Sequence, residues 1–141
     1  MKTYQNNLRL PLIASLLTIF LFACKKDEKE ISADYYIKYA VESKTVYTGV
    51  KLITIIQDER NNAKELTIGT GKWEMTIGPV KNQYIAKLDV TKKGWTGSTE
   101  NHLTMTLSIY VSKNNGPFSL RVIDDNTSPR AKALITHTLS E

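Results

Sequence analysis

Cys24 is the only cysteine in the chain, and its neighbours restrict what the sulfur can do. With no second cysteine, an intramolecular disulfide is excluded. The residues immediately before it run Leu21-Phe22-Ala23, aliphatic at −3 and small at −1. The other residue types that carry catalysis are dispersed. His102 and His137 stand far apart, without an HExxH pattern or a carboxylate at ligand spacing. A metal centre needs three or four convergent ligands, so each histidine reads as an ordinary strand or loop residue. Asp124-Asp125-Asn126 lacks the spacing and distal glutamate of a calcium loop and reads as a turn. There is no GxSxG, no phosphate-binding glycine loop and no GxGxxG, and no spacing of Ser, His and Asp points to a triad. An enzyme is not expected, and no cofactor is implied. One segment does offer binding chemistry. Lys92 to Asn101 is the longest loop, with Trp95 between Gly94 and Gly97 and with Lys93 and Thr96 as its neighbours. Binding residues concentrate on loops over rigid scaffolds, and an indole is a frequent anchor for sugars and proteins. The competing expectation is that Trp95 folds back over one end of the domain.

The elements that would position these residues begin with a leader. Residues 1–23 have the layout of a secretory signal, with Lys2 and Arg9 ahead of an uncharged apolar run from Leu10 to Phe22. At a helical rise of ~1.5 Å that run spans about 20 Å, short of a bilayer core of ~30 Å, so a permanent membrane helix is not expected. Leu21-Phe22-Ala23-Cys24 resembles a lipobox, the recognition sequence of bacterial lipoprotein processing, although Phe22 is larger than the residue usual at −2. The resemblance implies that the Cys24 thiol accepts a diacylglycerol and becomes the new N-terminus. Several acyl chains, at ~0.8 kcal/mol per buried CH₂, would then hold the protein on a membrane. Residues 24–33 form the expected tether. Lys25 to Glu30 are all charged and suit a solvated spacer. Lys26-Asp27-Glu28 resembles the surface-export signal of Bacteroidota lipoproteins, a lysine and two acids just after the cysteine. That implies an outer-membrane lipoprotein, displayed on the cell surface, with the periplasmic face as the alternative.

Residues 34–141 are expected to be one all-β domain. Hydrophobic residues make up 41% and charged residues 23% of the chain, as in globular proteins. The formal charge of +5 shrinks to +3 from Ile31 onward, with the lysines scattered, so no stripe for nucleic acid is present. Leu103, Met105, Leu107, Ile109 and Val111 alternate with Thr104, Thr106, Ser108 and Tyr110, the period-two signature of a half-buried strand. The same alternation runs through Tyr35–Val41, Trp73–Ile77, Tyr84–Val90, Phe118–Val122 and Ala131–Leu139. Val50–Ile56 is nearly all apolar and β-branched, as in a central strand. Turn residues separate these runs at Asn61-Asn62, Gly69–Gly71, Gly78-Pro79, Asn114–Pro117 and Asp124–Asn126. Seven such strands predict an antiparallel immunoglobulin-like β-sandwich.

Tyr36-Ile37-Lys38-Tyr39, Trp73, Leu107–Val111, and Ser119–Val122 read as a hairpin into Ala131–Leu139 together resemble the MmpS family of small membrane-anchored β-sandwich proteins. The resemblance covers most of residues 34–140; Gly71-Lys72 stands where the family often has Leu-Pro. It implies a sandwich fold, no catalytic residues, and a role assisting a large exporter. Two classes of function therefore stay open. One is an accessory module that engages an envelope protein, such as a transport complex. The other is a module that binds a glycan or a small hydrophobic ligand. A concave site lined by Trp95 and other aromatics would favour the second, and an exposed apolar patch the first.

Overall fold

The alternating run that begins at Leu103 becomes a strand at the heart of the first of two sheets. The computed structural model describes residues 33–93 and 102–140. They form eight strands: β1 (Tyr35–Lys44), β2 (Lys51–Gln57), β3 (Ala63–Gly69), β4 (Gly71–Val80), β5 (Ile85–Lys92), β6 (Thr104–Lys113), β7 (Ser119–Asp124) and β8 (Lys132–Thr138). Sheet A has the order β4-β1-β6-β7 and sheet B the order β3-β2-β5-β8, with every described pairing antiparallel. No α-helix occurs among the described residues. The leader, Cys24 and the tether residues Lys26, Asp27 and Glu28 lie outside the described residues.

Period-two patterning works here because one face of each sheet is dry. Ile37, Tyr39 and Val41 of β1, Leu107 and Ile109 of β6, and Leu88 and Val90 of β5 are at most 2% exposed and form the core between the sheets. Burying each such side chain contributes about 1.5–3 kcal/mol relative to leaving it in water. β2 inverts the simple expectation. Leu52, Thr54 and Ile56 face the core, so a threonine is inside, while Ile53 and Ile55 lie half-buried on the outer face.

Three sequence expectations are corrected. The strand count is eight rather than seven, because β3 forms the edge of sheet B through a tight hairpin with β2. The Asp58 carboxylate accepts from Arg60 N at 3.0 Å and Asn62 N at 2.8 Å, and Asn61 takes φ 63°, which fixes that turn. Secondly, β7 and β8 are not a hairpin: β7 pairs with β6, and β8 pairs with β5 in the other sheet. β1 is likewise a central strand, flanked by β4 and β6, whereas the immunoglobulin arrangement opens on a sheet edge. Thirdly, Gly78-Pro79 is not a turn. It lies within β4, where Tyr35 pairs with Val80 but Ile37 pairs with Ile77, so β4 carries one extra residue opposite Tyr36.

The loop after β7 is held by a charged clamp. Arg130 Nη1 donates to Asp124 Oδ2 at 2.7 Å, and Arg130 Nη2 donates to the Met105 carbonyl at 2.6 Å. Asp124 also accepts from the Asn126 amide at 3.2 Å, and Asn126 Oδ1 accepts from Ser128 N at 2.9 Å. Asp124 closes β7, and Asp125 and Asn126 follow it in the connecting loop. The Arg130 guanidinium is the main cause that lowers the Asp124 carboxyl below its ordinary value. Because the folded state binds this proton more weakly than the unfolded chain, the clamp's contribution is present above about pH 4 and is lost as pH falls through the folded value. Asp124→Asn is expected to lower stability at neutral pH by about 1–2 kcal/mol and to flatten the acid limb. Denaturant melts of parent and variant between pH 2 and 7 check this; parallel curves would contradict it.

Candidate functional site

The outer face of sheet A carries a shallow trough whose shape follows from strand register. Glu74 of β4 pairs with Ala40 of β1, Ala40 with Ser108 of β6, and Ser108 with Ile123 of β7, so these four form one rung across the sheet. The adjacent rung holds Thr76, Lys38, Tyr110 and Leu120, and the one on the other side holds Lys72, Glu42 and Thr106. Two small side chains at the centre, with longer ones on both sides, leave a concavity of about 330 Å³. It lies across the strands rather than along them.

Lys38 orders one wall. Its Nζ stands 4.6 Å from the centre of the Tyr110 ring, 5.4 Å from that of Phe118, and 3.8 Å from Glu74 Oε2. The cation–π attractions contribute about 0.5–1 kcal/mol each at exposed sites. On the opposite wall Glu42 lies between Lys72 at 3.9 Å and Lys44 at 3.8 Å. Exposed pairs of this length contribute about 0–1 kcal/mol, so they shape the surface more than they stabilise the fold. Trp73 belongs to the other face by strand parity. It pairs with Val41 and packs half-buried against the core from edge strand β4.

Beside the trough, β7 and the residue before it present an apolar row. Phe118, Leu120 and Ile123 are 40%, 46% and 47% exposed, half of the six exposed large hydrophobic residues among those described. Their alignment depends on a bulge. Ile109 pairs with Val122 and Tyr110 with Leu120, leaving Arg121 without a partner across the ladder. An inserted residue reverses the parity of the strand beyond it. Leu120 and Ile123 therefore share the outer face, although they are an odd number of residues apart, while Val122 packs on the core. Unbroken alternation would place Phe118, Leu120 and Val122 on one face. The signal available was Val122-Ile123, two adjacent apolar residues that a regular half-buried strand would not need.

Of the loop residues expected to bind, Lys93 is exposed just after β5, its amide donating to the Lys51 carbonyl at 2.9 Å. Trp95 and Thr96 lie outside the described residues. The histidines are not brought together. His102 precedes β6 at the end of the sheet where Lys44 pairs with Thr104, and its ring meets Tyr47 edge-on at 5.9 Å. His137 sits on β8 opposite Ala86, at the other end of the sandwich, near Tyr35 and Lys113. No group of three potential metal ligands occurs among the described residues. No family model matches the sequence, and no curated protein is significantly similar to it.

Proposed function

We propose that this chain is a lipid-anchored, non-enzymatic binding module of the bacterial envelope, engaging a protein partner through the outer face of sheet A. The observation that carries the choice of surface is the row of Phe118, just before β7, with Leu120 and Ile123 on β7, flanked by charged walls. An apolar centre with a polar rim is the common anatomy of a protein interface. A glycan or small hydrophobic ligand in the trough is the second reading, favoured by the Tyr110 ring and the hydroxyls of Thr106 and Ser108 around it. The MmpS-like pattern supports an accessory role beside a transport complex.

The test is site-specific photocrosslinking in intact cells from Leu120, with Leu134 as a control exposed to a similar degree on sheet B. A discrete protein adduct from position 120 that is missing from position 134 is the expected result. Equal or no adducts from both positions would remove sheet A from the reading.

The anchor rests on Leu21-Phe22-Ala23-Cys24 and display on Lys26-Asp27-Glu28. Mass spectrometry of the cell-derived protein is expected to find a new N-terminus at an acylated Cys24. A soluble product that begins elsewhere would contradict it. Asp27→Ala with Glu28→Ala is expected to reduce access of external protease to intact cells; unchanged access would clear the acidic pair of that role.

A further inference from the structure

The edge strands of the two sheets, β7 and β8, come side by side, and a cleft of about 280 Å³ opens where they meet the end of β6. Its basic side chains come from three strands: Lys113 at the end of β6, Arg121 at the bulge of β7 and His137 on β8. No carboxylate is found in the described lining, and none of these three groups forms an ion pair with a described residue. Among the other described basic residues some pair with acids and others, such as Lys51, Arg60, Lys64 and Lys87, do not. Lys38, Lys72, Lys81, Arg130 and Lys132 all have a carboxylate within ion-pair distance. The floor is apolar, made by Tyr35, Val111 and Leu139, each at most 5% exposed.

We propose that this cleft is a binding site for a small organic anion, an oxyanion head group held by Arg121, Lys113 and His137 with an apolar stem on Tyr35, Val111 and Leu139. Lys113 and Arg121 are exposed and His137 is half-buried, and the Arg121 charge opposes protonation of the imidazole. An anion offsets that charge and supplies the missing acceptor, which makes its hydrogen bonds charge-assisted. Arg121 offers a planar fork suited to a carboxylate or a sulfate. The bulge that turns Ile123 outward beside Leu120 is also what leaves Arg121 off the ladder, so one irregularity in β7 builds both features. The volume lies near the lower limit of small-molecule sites, ~300 Å³, and so suits a ligand of modest size.

His137 provides the readout. Tyr35 faces it from β1, Lys113 from β6 and Arg121 from β7, with Ala86 beside it on β5. Burial first, and the Arg121 charge second, lower its pKa below the ordinary value. A bound anion offsets the Arg121 charge and moves the imidazole back toward protonation.

The experiment is a titration of the whole chain in a nonionic detergent, following the His137 ring and Arg121 side-chain resonances. The probes are hexanoate, hexyl sulfate, hexanol and inorganic phosphate. Saturable shifts with hexanoate or hexyl sulfate, a raised His137 pKa in the complex, and at least tenfold weaker binding in Arg121→Gln are expected. The tighter of the two anions identifies the head group. Absence of saturation with both anions would overturn the proposal, as would equal response to phosphate or hexanol. Arg121→Gln is exposed at the edge, so an unchanged melting temperature separates lost binding from lost folding. The cleft and the outer face of sheet A are separate surfaces, and failure of one leaves the other standing.

Discussion

Tyr39→Ala is expected to cost about 3–5 kcal/mol, the usual penalty for emptying a large aromatic site in a core. The side chain is fully buried on the inner face of β1, between Met75 of β4 and Ile109 of β6. Its hydroxyl donates to the Gln57 carbonyl at 3.2 Å and lies 3.3 Å from the Tyr84 hydroxyl. Tyr84 in turn donates to the carbonyls of Gln57 at 2.9 Å and Asp58 at 3.1 Å. Two phenols, one on β1 and the other just before β5, thus hold the start of the β2–β3 turn, and truncating Tyr39 loses both the volume and one arm of this network. In a domain of ordinary stability, ~5–15 kcal/mol, such a loss unfolds a substantial fraction of molecules at elevated temperature. Tyr39→Phe separates the terms, since only the hydroxyl is lost, for about 1 kcal/mol. Desolvation is the first cause that raises the ionisation of both phenols above the ordinary tyrosine value. The unfolded chain therefore releases these protons first. Stability is whole below about pH 10 and declines as pH rises beyond it, and Tyr39→Phe is expected to shallow that decline. Chemical denaturation from pH 7 to 11 measures both effects; a Tyr39→Ala melt within 1 kcal/mol of the parent would contradict the packing described.

Gly78→Ala is the second large effect, with an expected loss of about 2–5 kcal/mol. Gly78 has φ 132°, which L side chains rarely adopt. A Cβ there would stand 2.8 Å from the Tyr35 carbonyl oxygen and 2.9 Å from Tyr36 Cδ1. Backbone strain costs about 1–3 kcal/mol, and forced overpacking about the same again. Gly49→Ala serves as the contrast, since its φ of 76° is also positive but nothing lies within 4 Å of its Cβ position. Both the steric clash and the greater backbone strain at φ 132° than at φ 76° should separate the two variants. Equal melting temperatures would mean that the β1–β4 bulge relaxes at no cost.

The core was readable because its residues obey period two where one face is dry. Ile37, Tyr39 and Val41, and Leu107 and Ile109, sit where alternation puts them. β3 escaped because an edge strand needs few buried residues. Of its seven, only Ile68 is buried, and Lys64 and Glu65 look like loop residues. The pairing of β7 and β8 was misjudged because adjacency in sequence favours a hairpin, while the chain crosses from sheet A to sheet B at Asp124–Arg130 instead. The trough and the cationic cleft were invisible for a different reason. Each joins residues from three or four strands, and the register that aligns Glu74, Ala40, Ser108 and Ile123 is not written in any one segment. The apolar row of Phe118, Leu120 and Ile123 was half legible: its residues are plainly apolar, but the bulge at Arg121 decides which way Ile123 points.

The proposed role of the outer face of sheet A, engaging a protein partner, can be tested on its apolar row. Its most direct test is the double substitution Leu120→Asp with Ile123→Asp, read for melting temperature and for partner recovery by crosslinking from Phe118 in intact cells. Both side chains are about half exposed, so the fold is expected to melt within a few degrees of the parent. Two carboxylates placed in the apolar centre of the patch are expected to abolish the adduct, since a desolvated, unpaired charge at an interface costs several kcal/mol. A variant that melts normally and still yields the parent's adduct in full would contradict the account.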